Sequence, residues 1–132
     1  MTTQQEVEVI LTRQLADYLA LPIFLVDPDG NLLFYNEPAE VILGLRYAET
    51  GPMPAQEWAT IFRPTDEAGH PLPPDELPLV IALRDLRPAH REFWIRGLGD
   101  GVTRRIEVTA FPLIGQAQRH LGALALFWEK PL

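Results

Sequence analysis

LPIFLVDPDGNLLFYN, residues 21–36, is the stretch on which the reading of this 132-residue chain turns. Pro22 stops whatever precedes it, and Ile23-Phe24-Leu25-Val26 is a short run of β-favouring residues. Asp27-Pro28-Asp29-Gly30 is a turn signal, because Asp bonds nearby amides and Gly tolerates positive φ. Asn31-Leu32-Leu33-Phe34-Tyr35 continues as a second strand, so the two form a hairpin. The first strand is apolar on both faces. One face meets the core; the other needs a cover, either the N-terminal helix or a partner chain.

Upstream, the chain reads as a helix over residues 1–20, opened by the capping-box spacing of Thr3 and Glu6. Val7, Ile10, Leu11, Leu15, Tyr18 and Leu19 recur at helical spacing and form one apolar stripe. Two arrangements satisfy such a stripe: it packs on its own domain, or it also pairs with the same helix of a second subunit.

Downstream, Asn36 caps a helix with Pro38 in its first turn and Gly44 at its exit, while Ala39, Val41, Ile42 and Leu43 supply apolar contacts. Residues 47–73 are weakly patterned and residues 51–78 are proline-rich, with one short helix at 54–62 turning Trp58, Ile61 and Phe62 inward. Asp75 is the expected cap of a longer helix, with Pro78 in its first turn and Leu77, Val80, Ile81 and Arg84 near one another. Three strands follow. Residues 89–96 alternate around Phe93 and Ile95, and Gly97 to Gly101 make a tight return. Residues 102–111 place Ile106, Val108 and Ala110 on one face and Arg105, Glu107 and Thr109 on the other, with Pro112 ending the strand. Residues 121–128 form the last strand, entered through Gly122. Two strands, a helical crossing and three strands predict an α+β domain: a five-stranded antiparallel sheet with helices on one face, spanning residues 21–129 behind the N-terminal helix.

Composition narrows the function. A formal charge of −7 argues against nucleic acid and anionic membrane as main partners, since both need a positive field. The one dense basic cluster is Arg104-Arg105. Cysteine is absent, which removes disulfides, thiolate nucleophiles and zinc–thiolate sites, and fits a reducing cytoplasm. Serine is absent as well. The first residues lack a cationic stretch followed by an apolar run, and no apolar run approaches the length that spans a bilayer.

Several motifs, in order, resemble the PAS family over residues 21–129. LPIFLVDPDGNLLFYN looks like the family's opening hairpin. EPAEVILG is similar to its Asn-x-x-Ala-x-x-x-x-Gly segment, matched by Asn36, Ala39 and Gly44. GHPLPPDELPLVIAL (69–83) resembles the crossing and long helix of bacterial sensor-kinase members, and RRIEVTAFPL and LGALALFWE resemble the last two strands. The end departs from the pattern. Where many members carry Asp-x-Thr before an output helix, this chain has Glu129-Lys130-Pro131, and proline blocks an ordinary continuing helix. A free-standing protein and a fragment cut at that point both fit.

The resemblance implies a sensory or regulatory module of signal transduction, one that docks to a kinase, cyclase or regulator or works as a homodimer, for which the amphipathic Val7–Leu19 stripe is the candidate interface. It further implies a cavity between sheet and helices. Parity and spacing line it with Ile23, Leu25, Phe34, Val41, Ile42, Phe62, Leu77, Val80, Ile81, Phe93, Ile95, Ile106, Val108 and Leu124. These residues either fill a core or surround a small apolar ligand, and a ligand-free interaction module is the alternative. Haem is disfavoured because residues 75–85 hold no histidine, and a cysteine–flavin adduct is excluded. His70 is read as lying in a solvent-exposed loop, and His90 and His120 as surface residues. No nucleophile–base–orienter set can be assembled, so catalysis and metal binding are not expected.

Overall fold

The computed structural model describes residues 7–131, so the capping box at Thr3 and Glu6 lies outside the described residues. A helix, α1 (Val7–Leu19), leads into the hairpin of β1 (Ile23–Val26) and β2 (Leu32–Tyr35). Helices α2 (Glu37–Leu43), α3 (Tyr47–Thr50), α4 (Ala55–Ile61) and α5 (Pro78–Asp85) make the crossing. Strands β3 (Ala89–Arg96), β4 (Thr103–Ile114) and β5 (His120–Glu129) complete an antiparallel sheet in the order β2-β1-β5-β4-β3. The first and last strands of the domain are therefore neighbours at its centre.

The hairpin turn forms for the reason its sequence gives. One Asp27 carboxylate oxygen accepts from the backbone amides of Asp29 and Asn31, each at 2.9 Å, and Gly30 takes φ +91°. Asn36 then joins three elements. Its Oδ1 accepts from the amides of Ile23 (3.1 Å) and Ala39 (3.3 Å), and its Nδ2 donates to the Leu21 carbonyl at 2.6 Å. A residue expected only to cap α2 thus also holds the entry to β1.

Two boundaries differ from the sequence reading. Helix α5 begins at Pro78 behind Leu77, and residues Pro74–Glu76 form a separate 3₁₀ turn, so Asp75 does not cap it. Strand β4 runs through Pro112 to Ile114. β3 pairs with β4 only as far as Ala110, so at Pro112 the side of β4 away from β5 carries no strand and the missing amide breaks no ladder bond.

The sheet has an apolar cluster on each face. Helices α2, α4 and α5 bury Phe24, Val26, Phe93, Ile95, Ile106, Val108, Ala125 and Phe127 on the inner face. On the outer face, Val9 and Ala16 of α1 pack with Ile23, Leu25, Leu113, Leu121 and Leu124. α1 is thus the cover that the two-faced β1 required, and the crossing helices alone lie on the inner face. Gly122, at φ +127°, lets β5 lie against β1, since a Cβ there would collide with the Val26 carbonyl.

Replacing Asn36 with Ala would leave buried amides of Ile23 and Ala39 without an acceptor. The expected cost is about 3 kcal/mol, read as a lowered urea midpoint with an unchanged m-value. A midpoint within error of the wild type would refute this role.

Candidate functional site

The inner face of the sheet and the helices over it border a cavity of about 80 Å³. Phe24 comes from β1, Leu43 from α2, Trp58 and Phe62 from α4 and its C-terminal end, and Leu79 from α5. Phe93, Ile95, Ile106, Val108, Ala125 and Phe127 come from β3, β4 and β5, and Pro64, Leu77 and Pro78 close the wall. All fourteen lining residues are apolar apart from the indole N–H of Trp58, which donates to the Gly30 carbonyl at 2.8 Å. Phe24 is fixed by rings on either side: it stacks on Tyr35 with centroids 5.8 Å apart and meets Trp58 edge-on at 5.6 Å.

Of the residues expected to border such a cavity, Phe62, Leu77, Phe93, Ile95, Ile106 and Val108 do so. Ile23, Leu25 and Leu124 are buried on the opposite face under α1, and Phe34 packs on that side too. Val41 is 69% exposed. Ile42 is buried in the inner core but does not reach the cavity, and Val80 and Ile81 are only half-buried. The cause is parity: β1 and β5 are apolar on both faces, so alternation cannot say which residues point inward. The later start of α5 rotates its faces, bringing Leu79 inward in place of Val80 and Ile81. Phe24, Ala125 and Phe127 were missed for the same want of contrast, and Trp58, read as facing inward on its helix, was not placed in the cavity wall.

The second feature is α1. Its seated face is Val9, Arg13 and Ala16, with the Arg13 guanidinium 4.1 Å over the Phe34 ring. Val7, Ile10, Leu11, Leu15, Tyr18 and Leu19 face away from the sheet, from 39% exposed at Ile10 to 87% at Tyr18. The stripe therefore does not pack on its own domain. The sheet already supplies large side chains at Leu25, Leu113, Leu121 and Leu124, and the helix meets them with smaller ones.

Polar groups gather elsewhere. Arg104, 15% exposed, pairs with Asp100 at 2.8 Å and Glu129 at 3.7 Å and donates to the Ile42 carbonyl at 3.1 Å. Arg105 is answered by Glu92 at 2.8 Å, so the dense basic cluster of the sequence is locally neutralised. Burial raises the phenol pKa values of Tyr35 and Tyr47, which donate to the carbonyls of Leu45 and Leu33.

Cross-strand register also assembles a set that sequence spacing hides. Thr109 Oγ1 lies 2.7 Å from His90 Nδ1, and Glu107 lies 4.0 Å from His90 Nε2. The residue types are those of a nucleophile, base and carboxylate, but the imidazole is 54% exposed on the open strand surface, outside any cleft. His70 is exposed beside Asp66. His120, expected at the surface, is half-buried, and its Nε2 has no hydrogen-bond partner among the described residues. Among the described residues no three potential metal ligands cluster, and no helix is long and apolar enough to cross a membrane.

No family model matches the chain, and no curated protein matches it. Solved structures do. The PAS domain of a protein from Colwellia psychrerythraea aligns at TM-score 0.64 and 19% identity, covering 92% of this chain and 97% of that one. The PAS domain of a nitrogen regulation protein from Vibrio parahaemolyticus aligns at TM-score 0.62 and 15% identity, over 91% and 98% of the two chains. The light-state dimer of the fungal blue-light photoreceptor Vivid aligns at TM-score 0.64 and 12% identity, over 98% and 97%.

The Arg104 side chain, and after it the Val102 amide, hold the Asp100 carboxyl below its ordinary pKa. A carboxylate depressed on folding adds stability that is complete above the ordinary range, about pH 4, and is lost as pH falls through the lower folded value. Asp100→Asn should therefore lose less stability than the wild type when urea midpoints are compared at neutral and strongly acid pH. Equal losses would show that this pair does not contribute.

Proposed function

We propose that this chain, which has the PAS fold, is a regulatory module of signal transduction that works by associating with a second copy of itself through α1. Residues 21–129 form the module proper, and the segment 1–20 is its association element. The observation that carries this reading is the outward stripe of Val7, Ile10, Leu11, Leu15, Tyr18 and Leu19 on a helix whose other face is seated on the sheet. Six apolar side chains in one uncharged row are costly to leave in water, and a second such row covers them.

Two further observations support it. A protein of the same fold, Vivid, is described as a dimer in its light state, and another belongs to a nitrogen regulation protein. The seat of α1 is built from β1 and β5, the strands that also border the inner cavity, so a change on either face reaches the other through shared backbone. The reading is non-catalytic, because the Thr109–His90–Glu107 set lies open to water and the cavity wall holds no acid or base. It places the chain in the cytoplasm, where a protein without cysteine needs no oxidising compartment.

Leu11→Glu and Leu15→Glu put a charge into the stripe at positions 57% and 59% exposed in the single chain. Both variants should stay folded by circular dichroism, while self-association weakens at least about tenfold in sedimentation velocity, a loss of about 1.4 kcal/mol or more. A dimer unaffected by either change would sink the role of α1. A wild-type chain that stays monomeric would sink self-association and leave the stripe to a kinase, cyclase or other regulator.

A further inference from the structure

We infer that an open groove between α1 and α2 docks a cationic, amphipathic segment of a partner protein, one that mixes Lys or Arg with apolar side chains. The inference goes beyond the self-association proposed above and does not rest on it. The groove has a volume of about 670 Å³. Asp17 of α1 and Ala20 just past it border one side, Glu37, Glu40 and Val41 of α2 border the other, and Phe34 of β2 lies between. Asp17 sits one turn on from Arg13, on the flank of α1 between its seated face and the outward stripe. Groove and stripe are therefore separate surfaces.

Two properties define the occupant. The first is charge. Asp17, Glu37 and Glu40 form no ion pair among the described residues. Three carboxylates against the guanidinium of Arg13, which lies over the Phe34 ring, leave the groove acidic. Glu40 is fixed in its wall, since its Oε2 accepts from the Tyr47 amide at 2.8 Å. The second property is apolar contact. Val41, 69% exposed, shares the groove with Pro38 and Phe34, so a wholly hydrophilic cation would leave this surface in water. Nucleic acid and anionic membrane have the wrong sign. A second copy of the chain is a poor source of the segment, because Arg104 is engaged by Asp100, Arg105 by Glu92 and Lys130 by Glu107. A different protein with a basic segment has the matching charge, and the net charge of −7 draws it in.

The test is an NMR titration of the full chain with a short synthetic peptide of lysine and leucine. The expected result is saturable amide shifts centred on Asp17, Ala20, Phe34, Glu37 and Val41, with affinity falling as salt is added. Peptides of lysine and serine, or of glutamate and leucine, should bind at least about tenfold more weakly. Val41→Lys puts a cation into the groove from an exposed position and should weaken binding by about tenfold or more. If that variant does not fold, Asp17→Asn combined with Glu37→Gln supplies the second arm, with a loss of about threefold and a shallower salt dependence. Shifts that never saturate, shifts centred instead on Ile10, Leu11 and Leu15, or a lysine–serine peptide that binds as tightly, overturn the inference. Leu11→Glu should bind the peptide at least as tightly as the wild type does. A loss there would place the peptide on the stripe and overturn the inference as well.

Discussion

Strand β1 has no face left for water. Phe24 and Val26 enter the inner core beneath the crossing helices, while Ile23 and Leu25 enter the outer cluster beneath α1. β5 is built the same way beside it, with Ala123, Ala125 and Phe127 inward and Leu121 and Leu124 outward. Such a strand pair is stable only if both sides are covered, so the hairpin alone cannot fold, and neither can the sheet with one layer of helices. The need for a second cover draws α1 onto the outer face. Once seated there by small residues, α1 turns its larger apolar ones to solvent, and the proposed association surface is the consequence.

The same partition sets the inner cavity and the seat of α1 back to back. The cavity and the α1 seat share β1 and β5, and their side chains alternate across one backbone. Asn36 fixes where that backbone begins, holding Ile23, Leu21 and Ala39 together from a fully buried position. Arg104 ties the far end of β5 at Glu129 to the β3–β4 return at Asp100 and to the end of α2 at the Ile42 carbonyl. Side chains on the open part of the outer face are paired locally: Glu92 with Arg105, and Glu107 with Lys130. Surface pairs of this kind contribute little to stability, but they leave the chain with few unmatched basic groups.

Element order was legible in the residues because punctuation and period agreed. Asp27-Pro28-Asp29-Gly30 could only turn, and Ile106, Val108 and Ala110 could only share a face. The candidate site was legible only where polarity alternated. β3 and β4 have one polar and one apolar face, and Phe93, Ile95, Ile106 and Val108 were placed on the cavity side from that contrast. β1 and β5 have no polar face, so Ile23, Leu25 and Leu124 were placed on the wrong side and Phe24, Ala125 and Phe127 were overlooked. On α1 the strongest stripe marked the solvent side. A helical stripe states which residues share a face, and the partner layer decides which face is covered. The His90–Thr109 contact was invisible for another reason: it depends on strand register across nineteen positions, which no local pattern encodes.

Native-state hydrogen exchange, resolved by residue and repeated at low and high protein concentration, tests the central claim most directly. α1 is held to the sheet by two buried apolar side chains, Val9 and Ala16, with Arg13 over the Phe34 ring, so in a single chain its amides should open locally and exchange faster than those of β5. Covering the outer stripe with a second copy should slow the α1 amides as concentration rises, while the β5 amides stay unchanged. α1 protection that is independent of concentration, or equal to that of β5 throughout, would contradict the account.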